Sequence, residues 1–205
     1  MNYCATARFV SRDEGTQLRF DTKLWFNPPT NPDAGICIGA VVGLNPGSSS
    51  PLPGKAGYTE VDPTMGRVLT AFADAYEELG RKIPENAYVR MWNLCYVREA
   101  DSDQFLSAVS NAEERNALTS PSALDPTEGE NVPCMWFAWT ASTPRELALR
   151  SRVWTDKLRC PMAYIGPDRL PHTFGGEADL ANVRHPSYKS REELAKTVRH
   201  LIEQL

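Results

Sequence analysis

Several things are missing from this 205-residue sequence, and each absence excludes something. There is no long hydrophobic run. The longest, Ile36-Cys37-Ile38-Gly39-Ala40-Val41-Val42-Gly43-Leu44, is less than half of the roughly 20 residues a membrane-spanning helix needs. Met1-Asn2-Tyr3-Cys4 opens neither a signal peptide nor a transit peptide, so the expectation is a cytoplasmic protein with no membrane partner. Closely paired cysteines are lacking too. Five scattered thiols (Cys4, Cys37, Cys95, Cys134, Cys160) without C-x-x-C spacing speak against a disulfide framework, a zinc site and a local iron–sulfur motif. Three sit in apolar company and read as small reduced core hydrophobes. A basic excess is also absent: 22 Lys and Arg against 26 Asp and Glu leave a formal charge of −4. That excludes a protein that coats nucleic acid indiscriminately. Without internal repeats or a linker, the length reads as one domain over 1–205.

What is present is ample core material, with 41% hydrophobic residues including five Trp, seven Tyr and seven Phe. The apolar run from Ile36 to Leu44, closed by Asn45-Pro46-Gly47, predicts a strand buried on both faces. A loop rich in Ser, Pro and Gly follows. Asp62 then caps a helix with Pro63 at its first position and Gly80 at its end. Met65, Val68, Leu69, Phe72, Tyr76 and Leu79 share one face of it. A second strand is predicted over 87–95, a helix over 102–118, a polar loop over 119–132 and a third strand over 134–139. Thr143-Pro144-Arg145-Glu146 reads as a capping box opening a helix to about 158. A short strand over 162–166 follows, and Ser190-Arg191-Glu192-Glu193 is a second capping box before a final helix. Alternating strands and helices predict an α/β fold, a single three-layer domain around a central, mainly parallel four-stranded sheet. Residues 1–35 are expected to wrap the sheet edge as an N-terminal extension.

Open parallel sheets bind ligands at the carboxyl ends of their strands. Three polar groups fall there. Gly43-Leu44-Asn45-Pro46-Gly47-Ser48-Ser49-Ser50 follows the first strand, and its glycines permit close approach of backbone N–H groups to a ligand. An ordinary Asn-Pro-Gly turn explains the same residues. Asn93 stands in an apolar strand, where a buried amide without partners costs about 1–3 kcal/mol; structural pairing with a loop is the alternative. Arg184-His185-Pro186-Ser187-Tyr188-Lys189 precedes the last helix, and its lone His is either structural or catalytic. Asp62 is a fourth candidate, although its role as helix cap accounts for it.

Taken in order, these sites resemble the uracil-DNA glycosylase superfamily. Gly43-Leu44-Asn45-Pro46-Gly47 is similar to the first motif of its mismatch-specific and single-strand-selective branches, and His185-Pro186-Ser187 to its second motif. Asn93 stands where the family places a base-reading asparagine. The stretch through Asp62-Pro63-Thr64 also resembles an uncharacterised bacterial and phage branch. The likeness runs from about Ile36 to Leu205. It implies a uracil-DNA glycosylase-like fold and a monofunctional enzyme that flips a nucleotide from DNA and hydrolyses its glycosidic bond without metal or other cofactor. It implies further that Asn45 holds the attacking water and His185 donates to the departing base. Asn93, with Gly43 and Ser48, would bind the base. Ser187, Tyr188, Lys189 and Arg184 would contact DNA. A monomer acting on one flipped nucleotide is expected.

The sequence also departs from the family. The uracil-specific branch has Asp and a following Tyr in the first motif, the Tyr excluding substituents at the pyrimidine 5-position. Here Asn45 and Ser48-Ser49-Ser50 stand instead, which leaves room for a larger, modified pyrimidine. Such bases arise as damage in a repair setting or as modifications of phage DNA in antiviral defence. Tyr188 replaces the proline that often follows His-Pro-Ser. Two alternatives keep the same pocket: a hydrolase of free modified nucleosides or nucleotides, and a non-catalytic nucleic-acid-binding member of the fold. Charge distribution is compatible with a DNA partner. Residues 1–139 hold 11 basic and 18 acidic side chains, and residues 140–205 hold 11 and 8. A local basic rim, including Arg184, Lys189 and Arg191, is all that one-site recognition needs.

Overall fold

The computed structural model describes residues 1–11, 17–98, 101, 104–105 and 125–205. Eight strands form one sheet: β1 (Cys4–Ser11), β2 (Gln17–Trp25), β3 (Ile36–Gly43), β4 (Tyr58–Thr59), β5 (Ala87–Asn93), β6 (Met135–Phe137), β7 (Met162–Ile165) and β8 (Pro171–Thr173). Their order across the sheet is β4-β1-β2-β5-β3-β6-β7-β8. Parallel pairing joins β5 to β3, β3 to β6 and β6 to β7. The remaining pairs are antiparallel.

The fold class is therefore α/β, but the expected four-stranded sheet is corrected to a mixed sheet of eight. The extra strands come from segments whose pairing partners lie far away in sequence. Residues 1–35 do not merely wrap an edge: β2 pairs with β5 from Thr22↔Met91 to Trp25↔Tyr88, and β1 continues the sheet beyond it. β8 turns back on β7 through 166–170 as an antiparallel hairpin.

Helices cover both faces. Helix α1 (Pro63–Glu78) and the last helix, labelled α4 below, pack together on one face. Met65, Val68, Leu69, Phe72, Leu194, Val198 and Leu201 bury there against Val41, Val89, Met91 and Trp136. Each such side chain contributes about 1.5–3 kcal/mol by leaving water. Helix α1 begins as its sequence predicts. Asp62 Oδ1 accepts from Met65 N at 2.8 Å, Pro63 opens the first turn, and Gly80 follows the end at φ +63°.

The opposite face is covered by α2 (Arg145–Ala148), a 3-10 turn (Leu149–Ser151) and α3 (Arg152–Thr155), which bury Leu147, Ala148 and Trp154. Trp154 stacks on Trp92 with ring centroids 6.0 Å apart. One continuous helix capped by Thr143 was expected here. Instead Pro144 occupies the cap position with no side-chain bond, because the Thr143 hydroxyl is engaged with that of Thr140 at 3.2 Å. Helix α4 (Arg191–Ile202) does carry the complete Ser190/Glu193 capping box. Of the helix expected over 102–118 only 104–105 are among the described residues, and these are helical; the first part of the 119–132 loop lies outside them, and 126–129 form a turn.

No helix among the described residues is long and apolar enough to cross a membrane. All five cysteines are free thiols, and burial pushes the Cys134 thiol up to about 12.

Candidate active site

Strands β3, β5 and β6 end on one side of the sheet, and the turns that follow β3 and β6, with Met91 of β5, the cap of α1 and residues 185–187, line a pocket of about 210 Å³. Its lining includes Gly43, Asn45, Asp62 and His185, with Ser187 at one side. Three sequence segments that separately read as ordinary turns or caps thus meet at one place. Drug-sized sites run to about 300–1,000 Å³, so this pocket suits a smaller group.

Two constraints shape its floor. A β-carbon at Gly43 would come 3.0 Å from the Asn93 amide, so the strand end needs glycine there. The Asn93 amide is assigned by its surroundings: with its nitrogen turned toward the two carbonyls, it donates to Asn45 O at 3.1 Å and Trp92 O at 3.3 Å. Asn93 is fully buried and lies behind the pocket lining. The amide expected to read a base is taken up by the protein's own backbone, where it pins the turn carrying Asn45. Behind it, Arg150 reaches the Asn93 and Leu94 carbonyls and pairs with buried Glu128 at 3.0 Å.

His185 has a defined protonation geometry. Ser187 N donates to His185 Nδ1 at 3.2 Å. With Nδ1 accepting, the neutral ring carries its proton on Nε2 and presents a donor. Burial lowers the His185 pKa below its ordinary 6.5, and the charge of Asp62 only partly opposes this. The imidazole is therefore neutral at pH 7. Asp62 uses Oδ1 to cap α1, and its Oδ2 faces Gly47, 3.9 Å from where a β-carbon would stand.

Other expected contact residues are distributed around this core. Ser48 is exposed beside the pocket, and its carbonyl accepts from Arg98 at 2.6 Å. Ser187 Oγ lies 3.3 Å from Thr64 Oγ1. Lys189 lines a neighbouring groove. Arg184 turns back on its own segment, donating to Ala181 O at 2.8 Å and Val183 O at 3.0 Å. The side chain of Tyr188 is outside the described atoms.

Four residues carry no signal in the candidate motifs. Thr140 and Met91 line the pocket; Thr140 follows β6, and the rule that sites gather at parallel strand ends could have found it. Arg98 clamps the 48–50 turn, donating also to Ser49 O at 2.8 Å and Ser50 Oγ at 2.6 Å, and no local signal marks it. Arg19 is fully buried and none of its side-chain nitrogens has a hydrogen-bond partner among the described residues. Burial pushes its guanidinium down to about 10, against the charge of Asp62. Among the described residues no cluster of His, Cys, Asp and Glu could hold a metal ion. Compared with protein-family models, curated proteins and solved structures, the chain matches none.

Proposed function

We propose that the protein is a monofunctional DNA glycosylase that releases a pyrimidine base, uracil or a modified one; Ser48, Ser49 and Ser50 do not line the pocket and so do not choose between the two. The observation that carries this reading is the meeting of Asn45, Asp62 and His185 around one small pocket, with His185 Nδ1 accepting from Ser187 N. The likeness of the Gly43–Gly47 and His185–Ser187 motifs to uracil-DNA glycosylases supports it.

Each group has a task that its chemistry suits. Breaking the glycosidic bond leaves its electron pair on the base and a cationic sugar. His185 Nε2–H donates to a carbonyl oxygen of the departing base as negative charge develops there. A neutral donor serves better than a cation here, since it need not give up its proton. Asn45 orients a water toward the anomeric carbon. Asp62 accepts the proton that water loses as its oxygen bonds to the sugar, and the free base takes a proton from solvent. Asn93 holds the Asn45 turn in place. No step needs a metal or other cofactor. The partner on this reading is DNA with one nucleotide flipped out, and the acting species is a monomer.

The test is a panel of DNAs carrying uracil, 5-substituted pyrimidines and the hypermodified bases of phage genomes, with free nucleosides alongside. Released bases are identified by mass spectrometry and abasic sites by alkali-labile breaks. Release from at least one DNA is expected. Damaged bases as the best substrates would place the enzyme in repair, and phage modifications in defence. Release from nucleosides alone would assign a nucleoside hydrolase instead, and no release from any substrate would overturn the reading.

A further inference from the structure

Beside the pocket runs a second depression of about 520 Å³ between α1 and α4, lined among others by Pro63, Gly66, Arg67, Lys189 and Arg191. The two are neighbours along the chain: Pro63 of the groove precedes Thr64 of the pocket, and Ser187 of the pocket lies two residues before Lys189 of the groove.

Its charge is one-sided. Arg191 is neutralised by Asp74, with Nε to Oδ2 at 2.5 Å. Arg67 is exposed and donates only to a backbone carbonyl, Lys189 O, at 2.9 Å. Neither Arg67 nor Lys189 has a carboxylate partner among the described residues. Two uncompensated cations therefore line a groove next to the pocket on a protein whose overall charge is −4.

Gly66 adds a separate observation. It sits inside a regular 16-residue helix at an ordinary helical backbone, and a β-carbon there would meet nothing within 4 Å. Glycine is among the weakest helix formers, and no tight contact within the chain requires it here. Clearance for something lying over this turn of α1 would.

We infer that the groove between α1 and α4 carries the nucleic-acid strand flanking the flipped nucleotide, with backbone phosphates at Arg67 and Lys189. This rests on the proposed glycosylase reading and adds the path of the strand to it. Phosphate contacts of this kind fix position without reading sequence, and each lowers the salt dependence of binding when it is removed.

The experiment measures binding of a fluorescein-labelled single-stranded 15-mer with a central uracil, by anisotropy between 50 and 200 mM NaCl. Arg67→Ala and Lys189→Ala should each weaken binding several-fold and reduce the slope of log affinity against log salt by about 0.7. Arg67→Lys should keep the slope. Gly66→Gln, which restores helix propensity, should weaken binding by obstruction without lowering Tm. Unchanged affinity and slope in the Arg67→Ala/Lys189→Ala double variant would overturn the inference, as would failure of the wild-type protein to bind the 15-mer. Base release from the same samples separates the two readings. Groove-dependent binding with no release from any DNA of the panel counts against the glycosylase alone, and release with groove-independent binding counts against the groove alone.

Discussion

His185 owes its proposed chemistry to where its ring lies. The Ser187 N–H at Nδ1 sets the tautomer, and burial holds the ring neutral. Because the folded pKa is below the unfolded 6.5, the unfolded chain binds the extra proton first. The contribution to stability is complete above pH 6.5 and is lost as pH falls through the window below it. Base release should likewise be flat around neutrality and decline on the acid side. Asp62→Asn removes the charge that opposes the shift, so the acid limb of its pH–rate profile should move lower while the rate falls about 10²- to 10⁴-fold. An acid limb that stays in place would show that Asp62 does not act on His185. Arg19 makes the opposite case, a buried cation with no hydrogen-bond partner among the described residues. Removing such a charge is neutral or stabilising when shape is kept. Arg19→Met should therefore leave Tm unchanged or raise it, by thermal unfolding; a large drop would show that the guanidinium is paired.

Individual elements were legible in the sequence where their signals are local. Asp62-Pro63 and Ser190 with Glu193 announced the starts of α1 and α4 within four residues, and the Ile36 run announced β3. Elements fixed by distant partners were not. β2 enters the sheet through pairing with β5 some 65 residues away and brings β1 with it, and the helix expected from Thr143 is divided by a 3-10 turn at Leu149–Ser151. The site divides in the same way. Asn45, Asp62 and His185 carried motif signals and the apolar strand marked Asn93 as buried, whereas the Arg98 clamp depends on contacts no spacing encodes. Two glycines test the packing account. At Gly39 a β-carbon would come 2.7 Å from the Phe72 ring, so Gly39→Ala should cost about 1–3 kcal/mol through overpacking of β3 against α1. At Gly66 the space is open, and Gly66→Ala should add up to about 1 kcal/mol. Chemical denaturation of both variants measures the contrast, and equal effects would contradict it.

Across the whole molecule, one mixed sheet brings the ends of β3, β5 and β6 together while α1 and α4 converge beside them. The acidic total of −4 obscures a local feature: Arg67 and Lys189, without a carboxylate partner among the described residues, line the groove beside the pocket. A weakly acidic protein with a local basic groove would find DNA without binding it everywhere. The central claim is that the pocket formed by Asn45, Asp62 and His185 releases a base from DNA. The most direct measurement quantifies free base by mass spectrometry from the best DNA of the panel, using wild type, Asn45→Ala and His185→Ala at equal folded concentration. The account predicts release by the wild type and a loss of about 10²- to 10³-fold in His185→Ala, with a clear loss in Asn45→Ala. Equal release by all three proteins would contradict it.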